Sequence, residues 1–217
     1  MARKLCAEFV GSLLLAACVI GSGIMAERMA GGNAAVVLLA NTLAAVAVLG
    51  ALISSLGPIS GAHFNPVVTI AAIGLRRLDP ALGAAYVITQ MAGCCAGAML
   101  ANAMFELPLI TPSMHPRSGS AQWLSEIVAT VGLVLVAFRA PSFREAAWRV
   151  ALWIGAAYWF TASTSFANPA ITIGRALSDT FAGIRPVDVP GFIGAQLVGA
   201  LLGVLLYRVL AEPREAA

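Results

Sequence analysis

The chain has 217 residues, of which 60% are hydrophobic and only 11% are charged, with a formal net charge of +3 and a mean hydropathy of +0.89. A soluble globule of this length needs far more polar surface, so the composition predicts an integral membrane protein. The Lys and Arg residues are spread along the predicted loops and form no single basic face, which argues against nucleic-acid binding.

Six apolar runs are long enough to cross a bilayer as helices. In chain order they are Leu5–Ala26, Ala34–Leu56, Leu82–Phe105, Ala121–Ala140, Ala147–Ser165 and Pro190–Leu210. The first run is too long for the core of a signal peptide and lacks a convincing cleavage site, so we expect a retained helix. An even number of crossings places both termini on the same side of the lipid bilayer.

The distribution of Lys and Arg favours cytoplasmic termini, because these residues are enriched in the inner loops of membrane proteins. With that orientation nine of them lie inside, namely Arg3, Lys4, Arg76, Arg77, Arg139, Arg144, Arg149, Arg208 and Arg214. Four lie outside, namely Arg28, Arg117, Arg175 and Arg185.

The sequence carries no pattern typical of an enzyme or a metalloprotein. No nucleophile–base pair or metal cluster lies on an accessible loop, so we expect neither a metal nor a cofactor. The cysteines fall inside apolar runs without metal-ligand spacing or a secreted disulfide framework. We therefore expect buried free thiols at Cys6, Cys18, Cys94 and Cys95.

A short segment occurs twice in the chain, as Asn65-Pro66-Val67 and as Asn168-Pro169-Ala170. Each copy opens an apolar stretch of about 11 residues, which as a helix covers about 16 Å, half of a ~30 Å hydrocarbon core. Two such half-helices could meet at the midplane. Both helix N-termini, with their free N–H groups and partial positive charge, would then point at one place.

The duplication extends beyond the Asn-Pro segments. Glu8 in the first span parallels Glu126 in the fourth, and Gln90 in the third parallels Gln196 in the sixth. Each half has three spans, and an odd number of crossings inverts the second half relative to the first. We expect one channel domain, 1–217, built from inverted repeats at approximately 1–106 and 119–217, with its functional site at the repeat interface near the midplane.

The chain resembles the major intrinsic protein family, the aquaporins and glycerol facilitators, over nearly all of its length. The resemblance rests on the residues 60–66, on Asn168-Pro169-Ala170, and on Glu8 and Glu126. It implies an all-α membrane fold with six transmembrane helices and two re-entrant half-helices. It also implies a homotetramer with a pore in each subunit, and passive conduction of small neutral solutes.

On such a fold, Asn65 and Asn168 would cap the half-helices and donate N–H groups to a passing hydroxyl. Backbone carbonyls before each Asn would line the pathway as acceptors. In the first copy these belong to Gly61, Ala62, His63 and Phe64, and in the second to residues 165–167.

The ionisable residues near these segments leave alternatives open. The resemblance implies that Glu8 and Glu126 accept hydrogen bonds from the loop backbone, whereas an ionisable group within a span can also serve a proton relay. His63 would face the cytoplasmic half of the pore, either as a fixed hydrogen-bonding group or as a gate.

The departures from the family pattern concern the narrowest part of the pore. Family members usually carry Arg three residues after the second Asn, where this chain has Ile171, and water-selective members place His at the position of Ala156. Their aromatic residue corresponds to Ala45, or to Thr42 if the register of the second span differs by a turn. Together with Ser165, these residues predict a wider and less polar constriction.

The next cation after Ile171 is Arg175, which lies a full turn beyond the usual Arg position. We expect it at the mouth of the pore, paired with Asp179, and not in the constriction.

A wide, mostly apolar constriction favours neutral polyhydroxyl solutes such as glycerol, and metalloid hydroxides such as arsenite, with methylated arsenicals as further candidates. The stretch 166–181 resembles the bacterial branch associated with arsenic-resistance operons, which implies the bacterial inner membrane. A water-selective channel, a secondary transporter and a non-conducting scaffold are the alternatives. A transporter needs a coupling-ion site, for which Glu8 and Glu126 are the visible candidates.

Overall fold

The computed structural model describes residues 1–211, and that range forms eight α-helices and no strand. The helices are α1 (Ala2–Met29), α2 (Ala34–Ser60), α3 (Pro66–Gly74), α4 (Pro80–Met104), α5 (Ser120–Phe138), α6 (Phe143–Phe160), α7 (Pro169–Arg175) and α8 (Val189–Val209). A single 3₁₀ turn at Pro186–Asp188 precedes α8. The predicted architecture of six long helices and two half-helices is confirmed.

The two half-helices are too short to span a membrane. The α3 helix has 9 residues and α7 has 7, so at 1.5 Å per residue each covers less than about 14 Å. Both begin at a proline that follows an Asn, and a proline in the first helical position loses no hydrogen bond. Five of the six long helices are long and apolar enough to cross a bilayer by composition alone.

The remaining long helix, α6, is displaced from its predicted bounds. The sequence predicted Ala147–Ser165, whereas α6 begins at Phe143, where the Ser142 side chain accepts a hydrogen bond from the Glu145 N–H at 3.2 Å. An ion pair between Arg149 and Glu145 at 3.2 Å continues this charged first stretch. The predicted start of α6 was wrong, because the first turn of this helix is polar. It is stabilised by the Ser142 cap and the ion pair, which a hydropathy pattern does not register.

The helix packing repeats between the halves. The α1 helix packs most extensively on α4 and also on α2, and α5 correspondingly packs on α8 and α6. Each half-helix contacts the third long helix of both halves, with α7 lying against α4 and α3 against α8. The two halves are therefore joined through their half-helices.

Two pairs of glycines permit the close packing of these helices. Gly93 and Gly97 of α4 face α1, and Gly199 and Gly203 of α8 face α5. A Cβ at Gly93 would lie 2.6 Å from the Phe9 carbonyl oxygen. Small residues let helix backbones approach closely in membranes, where van der Waals packing is a principal attraction between helices.

The cysteine prediction holds in part. All four are free, and Cys94 is buried, while Cys18 and Cys95 are half-buried. Cys6 is exposed on the outer face of α1, so its predicted burial was wrong. A uniformly apolar helix presents one of its faces to lipid, and hydropathy does not identify that face.

Replacing Gly97 by Ala tests the contact between α1 and α4. The added Cβ would collide with the Leu13 carbonyl oxygen, which belongs to helix backbone and cannot rotate away. We expect a loss of about 1–3 kcal/mol, seen as a lower thermal unfolding midpoint in detergent. Gly194→Ala is the matched control, because nothing lies within 4 Å of its Cβ position. Equal midpoints for the two variants would contradict the packing account.

Candidate functional site

The carboxylate of Glu8 is fully buried and accepts four hydrogen bonds. Its Oε1 accepts from the Ser60 hydroxyl at 2.6 Å and the His63 N–H at 3.0 Å. Its Oε2 accepts from the Phe64 N–H at 2.8 Å and the Gln90 amide at 2.7 Å. A buried charge is tolerated when its oxygens are paired in this way, and here the pairing ties α1 to the loop before α3.

Glu126 makes the same four hydrogen bonds in the second half and is also fully buried. Oε1 accepts from the Ser163 hydroxyl at 2.6 Å and the Phe166 N–H at 2.9 Å. Oε2 accepts from the Ala167 N–H at 2.8 Å and the Gln196 amide at 2.7 Å. The serine and the two backbone donors stand at the same offsets from Asn168 as their counterparts do from Asn65, so the two halves use one local design.

The sequence reasoning assigned no role to the glutamines or to Ser163. Each glutamine also donates to a threonine hydroxyl, Gln90 to Thr69 and Gln196 to Thr172, both at 2.9 Å. The signals that could have found these residues were the Gln-x-x-Gly pattern shared by Gln90 and Gln196, and the equal offset of Ser60 and Ser163 from the two Asn residues.

Besides Thr164, four residues other than glycine adopt left-handed backbone conformations in these loops. They lie three residues and one residue before each Asn, and their φ angles are +50° at Ala62, +49° at Phe64, +49° at Ser165 and +45° at Ala167. Such conformations cost about 1–3 kcal/mol each and persist only where neighbouring contacts hold them. Here the hydrogen bonds that Glu8 and Glu126 accept from the N–H groups in the same loops stabilise these conformations.

Asn65 and Asn168 cap their half-helices and also join the two loops. The Asn65 Oδ1 accepts from the Val67 N–H at 3.0 Å, and the Asn168 Oδ1 accepts from the Ala170 N–H at 3.0 Å. The Asn65 amide donates to the Ala167 carbonyl at 2.8 Å, and the Asn168 amide donates to the Phe64 carbonyl at 2.9 Å. An amide carries two N–H donors, so each side chain retains a second donor.

A cavity of about 690 Å³ runs past both Asn residues. At one end it is lined by Lys4, Arg77 and Phe143, and at the other by Ile171 and Arg175. Between them it passes the two loops, where the lining includes Gly61, Ala62, His63, Phe64, Asn65, Ser165, Phe166, Ala167 and Asn168. The His63 ring lies 3.0 Å from the Thr69 hydroxyl and edge-on to Tyr86.

Three of the five residues considered for the constriction lie together on this cavity. Ala45, Ser165 and Ile171 all contribute to its lining and are each at most 5% exposed. Thr42 lies outside the lining, and its hydroxyl donates to the Leu38 carbonyl within α2 at 2.7 Å. Of the two registers left open for α2, the observed one brings Ala45 to the cavity.

Ala156 does not reach the cavity, because it lies on the exposed outer face of α6. The lining residues of α6 are Phe143, Ala146, Val150, Ile154 and Tyr158, and the last four repeat every four residues on one face. The prediction counted back from Asn168 to Ala156, which assumes that the loop between α6 and α7 has the same length as in other family members. For this reason it missed Tyr158. The spacing of the apolar residues along α6 would have identified it.

Arg175 is not the mouth residue that the sequence predicted. It is only 1% exposed, contributes to the cavity lining, and its Nε donates to the Ala182 carbonyl. Its guanidinium lies over the Phe166 ring at 3.4 Å from the centroid. Asp179 instead accepts from the Met114 N–H at 2.8 Å, so the predicted pairing of Arg175 with Asp179 was wrong.

The loop between α4 and α5 covers this end of the molecule and is held by Arg117. Its guanidinium donates to the carbonyls of Gly183, Ser163 and Phe181 at 2.7–3.3 Å. Although burial of the carboxyl opposes ionisation, hydrogen bonds from Arg185 and from the Arg117 N–H hold the pKa of Asp188 below its usual range.

Within residues 1–211 no group of three or more His, Cys, Asp or Glu side chains is placed to hold a metal ion. The polar groups on the cavity lining are amides, hydroxyls, backbone groups, cationic side chains and the His63 imidazole.

The family model for the major intrinsic protein matches residues 1–146. This chain belongs to the major intrinsic protein family. It is 51% identical over 215 residues to the aquaglyceroporin AqpS of Rhizobium meliloti, covering 98% of this chain and 92% of that protein. It is 31% identical to aquaporin A of Dictyostelium discoideum, covering 95% of this chain and 78% of that one.

Among solved structures, the X-ray structure of the aquaglyceroporin from Plasmodium falciparum is similar to this major intrinsic protein with a TM-score of 0.75. The match covers 96% of each chain at 19% sequence identity. This likeness shows the fold, so the predicted aquaporin fold is confirmed for this multi-pass membrane protein.

The glutamate anchors can be tested by Glu126→Gln. A Gln side chain would turn an NH₂ group towards N–H donors that now bind a carboxylate oxygen, and would leave buried donors unpaired. We expect a loss of about 3–5 kcal/mol, measured as a lower unfolding midpoint and a lower yield of folded protein. The control is Glu106→Gln, at an exposed residue of the loop between α4 and α5. If both variants match the wild type, the carboxylate does not hold the loop.

Proposed function

We propose that this protein is a passive channel for small uncharged hydroxylated solutes of the glycerol type. The observation that carries the proposal is the composition of the cavity beside the second half-helix, where Ile171 and Ala45 present apolar surface. The similarity to a protein named aquaglyceroporin supports the same solute class.

A hydroxylated solute finds hydrogen-bonding partners along this cavity. Asn65 and Asn168 each have a second side-chain N–H that is available as a donor. The Ser165 hydroxyl has no hydrogen-bond partner among residues 1–211, so it is also available to a solute. The converging N-termini of α3 and α7 add partial positive charge at the same level, which opposes cations and protons. A ladder of this kind suits neutral molecules with several hydroxyl groups.

Metalloid hydroxides belong to the same solute class in this proposal. Arsenite near pH 7 is a small neutral trihydroxide, and methylated arsenicals replace a hydroxyl with a methyl group that an apolar wall accepts. The resemblance of residues 166–181 to the branch associated with arsenic-resistance operons supports arsenite as a natural solute.

A water-selective channel is the second candidate, and the observation in its favour is Tyr158. Its aromatic side chain occupies the cavity face of α6 and lines the same cavity as Ile171. An aromatic ring narrows a constriction and could restrict it to water. A secondary transporter receives no such support, because Glu8 and Glu126 each already bind four donors.

We further propose a homotetramer in the bacterial inner membrane with both termini in the cytoplasm. Arg77 donates to the Phe138 carbonyl, Arg208 to the Gly74 carbonyl and Arg139 to the Leu210 carbonyl, so these cations cluster at one end of the molecule. That clustering supports their common placement on the inner side. Arg214, which was assigned to the same side, lies outside the described residues.

Stopped-flow light scattering on proteoliposomes tests the solute class. We expect the wild type to conduct glycerol and arsenite, and Ile171→Arg to reduce both fluxes at least about tenfold, because a charged side chain of larger size narrows an apolar constriction. Ile171→Val is the matched control, since it keeps the position apolar. Water flux without glycerol or arsenite flux in the wild type would instead establish the water-selective alternative.

A further inference from the structure

We propose that Arg175 supplies the fixed positive charge and hydrogen-bond donor of the constriction, from a position one helical turn beyond the arginine that the family usually carries. In this role Arg175 excludes cations while neutral hydroxylated solutes pass. The inference rests on the proposed function of neutral-solute conduction and adds the residue that determines charge selectivity.

The first support is position. Arg175 and Ile171 stand four residues apart on α7, and both line the same cavity. Residues at this spacing share a helix face, and side chains on a helix lean towards its N-terminus. A long side chain at 175 therefore extends back over the turn that carries Ile171. The guanidinium reaches the constriction although its Cα lies beyond it.

The second support is the way the guanidinium is held. Its Nε donates to the Ala182 carbonyl, and its plane lies over the Phe166 ring at 3.4 Å from the centroid. Stacking on an aromatic face stabilises arginine when the charge is removed from water. These contacts fix the group in one place, as a selectivity element requires.

The third support is an unpartnered donor. The Nη1 of Arg175 is buried and has no hydrogen-bond acceptor among residues 1–211. Leaving a buried charged donor unpaired is costly. The Ser165 hydroxyl, on the same cavity, is likewise without a partner in the described chain. A solute hydroxyl beside them satisfies both groups, accepting from Arg175 and exchanging a hydrogen bond with Ser165.

Arg175 forms no direct ion pair with a carboxylate among residues 1–211. Asp179 binds the Met114 N–H, and Glu126 is occupied by its four donors. Arg117 lies over the same Phe166 ring, with 5.0 Å between its guanidinium carbon and the ring centroid, and adds to the positive field. The two guanidinium groups beside Phe166 outnumber the single buried carboxylate of Glu126, so a cation entering this level meets net positive charge in a poorly hydrated space.

The test measures two permeabilities in the same proteoliposomes, glycerol by light scattering and K⁺ by an enclosed K⁺-sensitive dye. Arg175→Met keeps length without charge, and we expect its ratio of K⁺ to glycerol permeability to rise about tenfold or more. Arg175→Lys keeps the charge and should hold the ratio within about threefold of the wild type. Arg175→Gln, which keeps a donor for Ala182, replaces the Met variant if that variant does not fold.

Arg117→Met is the matched control, because it also removes a loop arginine over Phe166 but one that lies outside the cavity lining. A rise in the ratio for the neutral Arg175 variants, absent in Arg175→Lys and smaller in Arg117→Met, supports the inference. A wild-type ratio in a folded, glycerol-conducting Met or Gln variant overturns it. Absence of glycerol flux in the wild type would overturn the proposed function instead.

Discussion

The structure depends on two buried carboxylates that hold two strained loops. Glu8 and Glu126 each bind a serine hydroxyl, two consecutive backbone N–H groups and a glutamine amide. They supply much of the compensation for the conformational cost of the left-handed residues before each Asn. The half-helices begin where those loops end, so their position within the helix bundle follows from the same contacts.

The reciprocal hydrogen bonds of Asn65 and Asn168 convert two separate loops into one unit. Each amide donates to the carbonyl that precedes the other Asn, at 2.8 Å and 2.9 Å. The two helix N-termini are thereby fixed against each other beside the cavity. Because one N–H of each amide is used for this link, the second is the one available to a solute, and its direction is set by the protein rather than by the solute.

Much of this could be predicted from the sequence, because the repeated Asn-Pro segments and the buried glutamates are local signals. Hydropathy predicted six spans, with the bounds of α6 misplaced, and the repeated Asn-Pro segments identified both loops. The constriction was harder to predict, because the position of Tyr158 on the cavity depends on the length of the loop between α6 and α7 and on the rotation of α6 about its axis. Arg175 was misplaced because its environment depends on Phe166 and Ala182, and no local pattern brings these residues together.

The most direct test of the account is the concentration dependence of glycerol flux through the purified wild-type protein in liposomes, measured in both directions. The account describes an open pathway with no coupling-ion site at its carboxylates, so flux should rise linearly with the glycerol gradient and be equal inward and outward. Flux that saturates, or that requires an ion gradient, would contradict a passive channel.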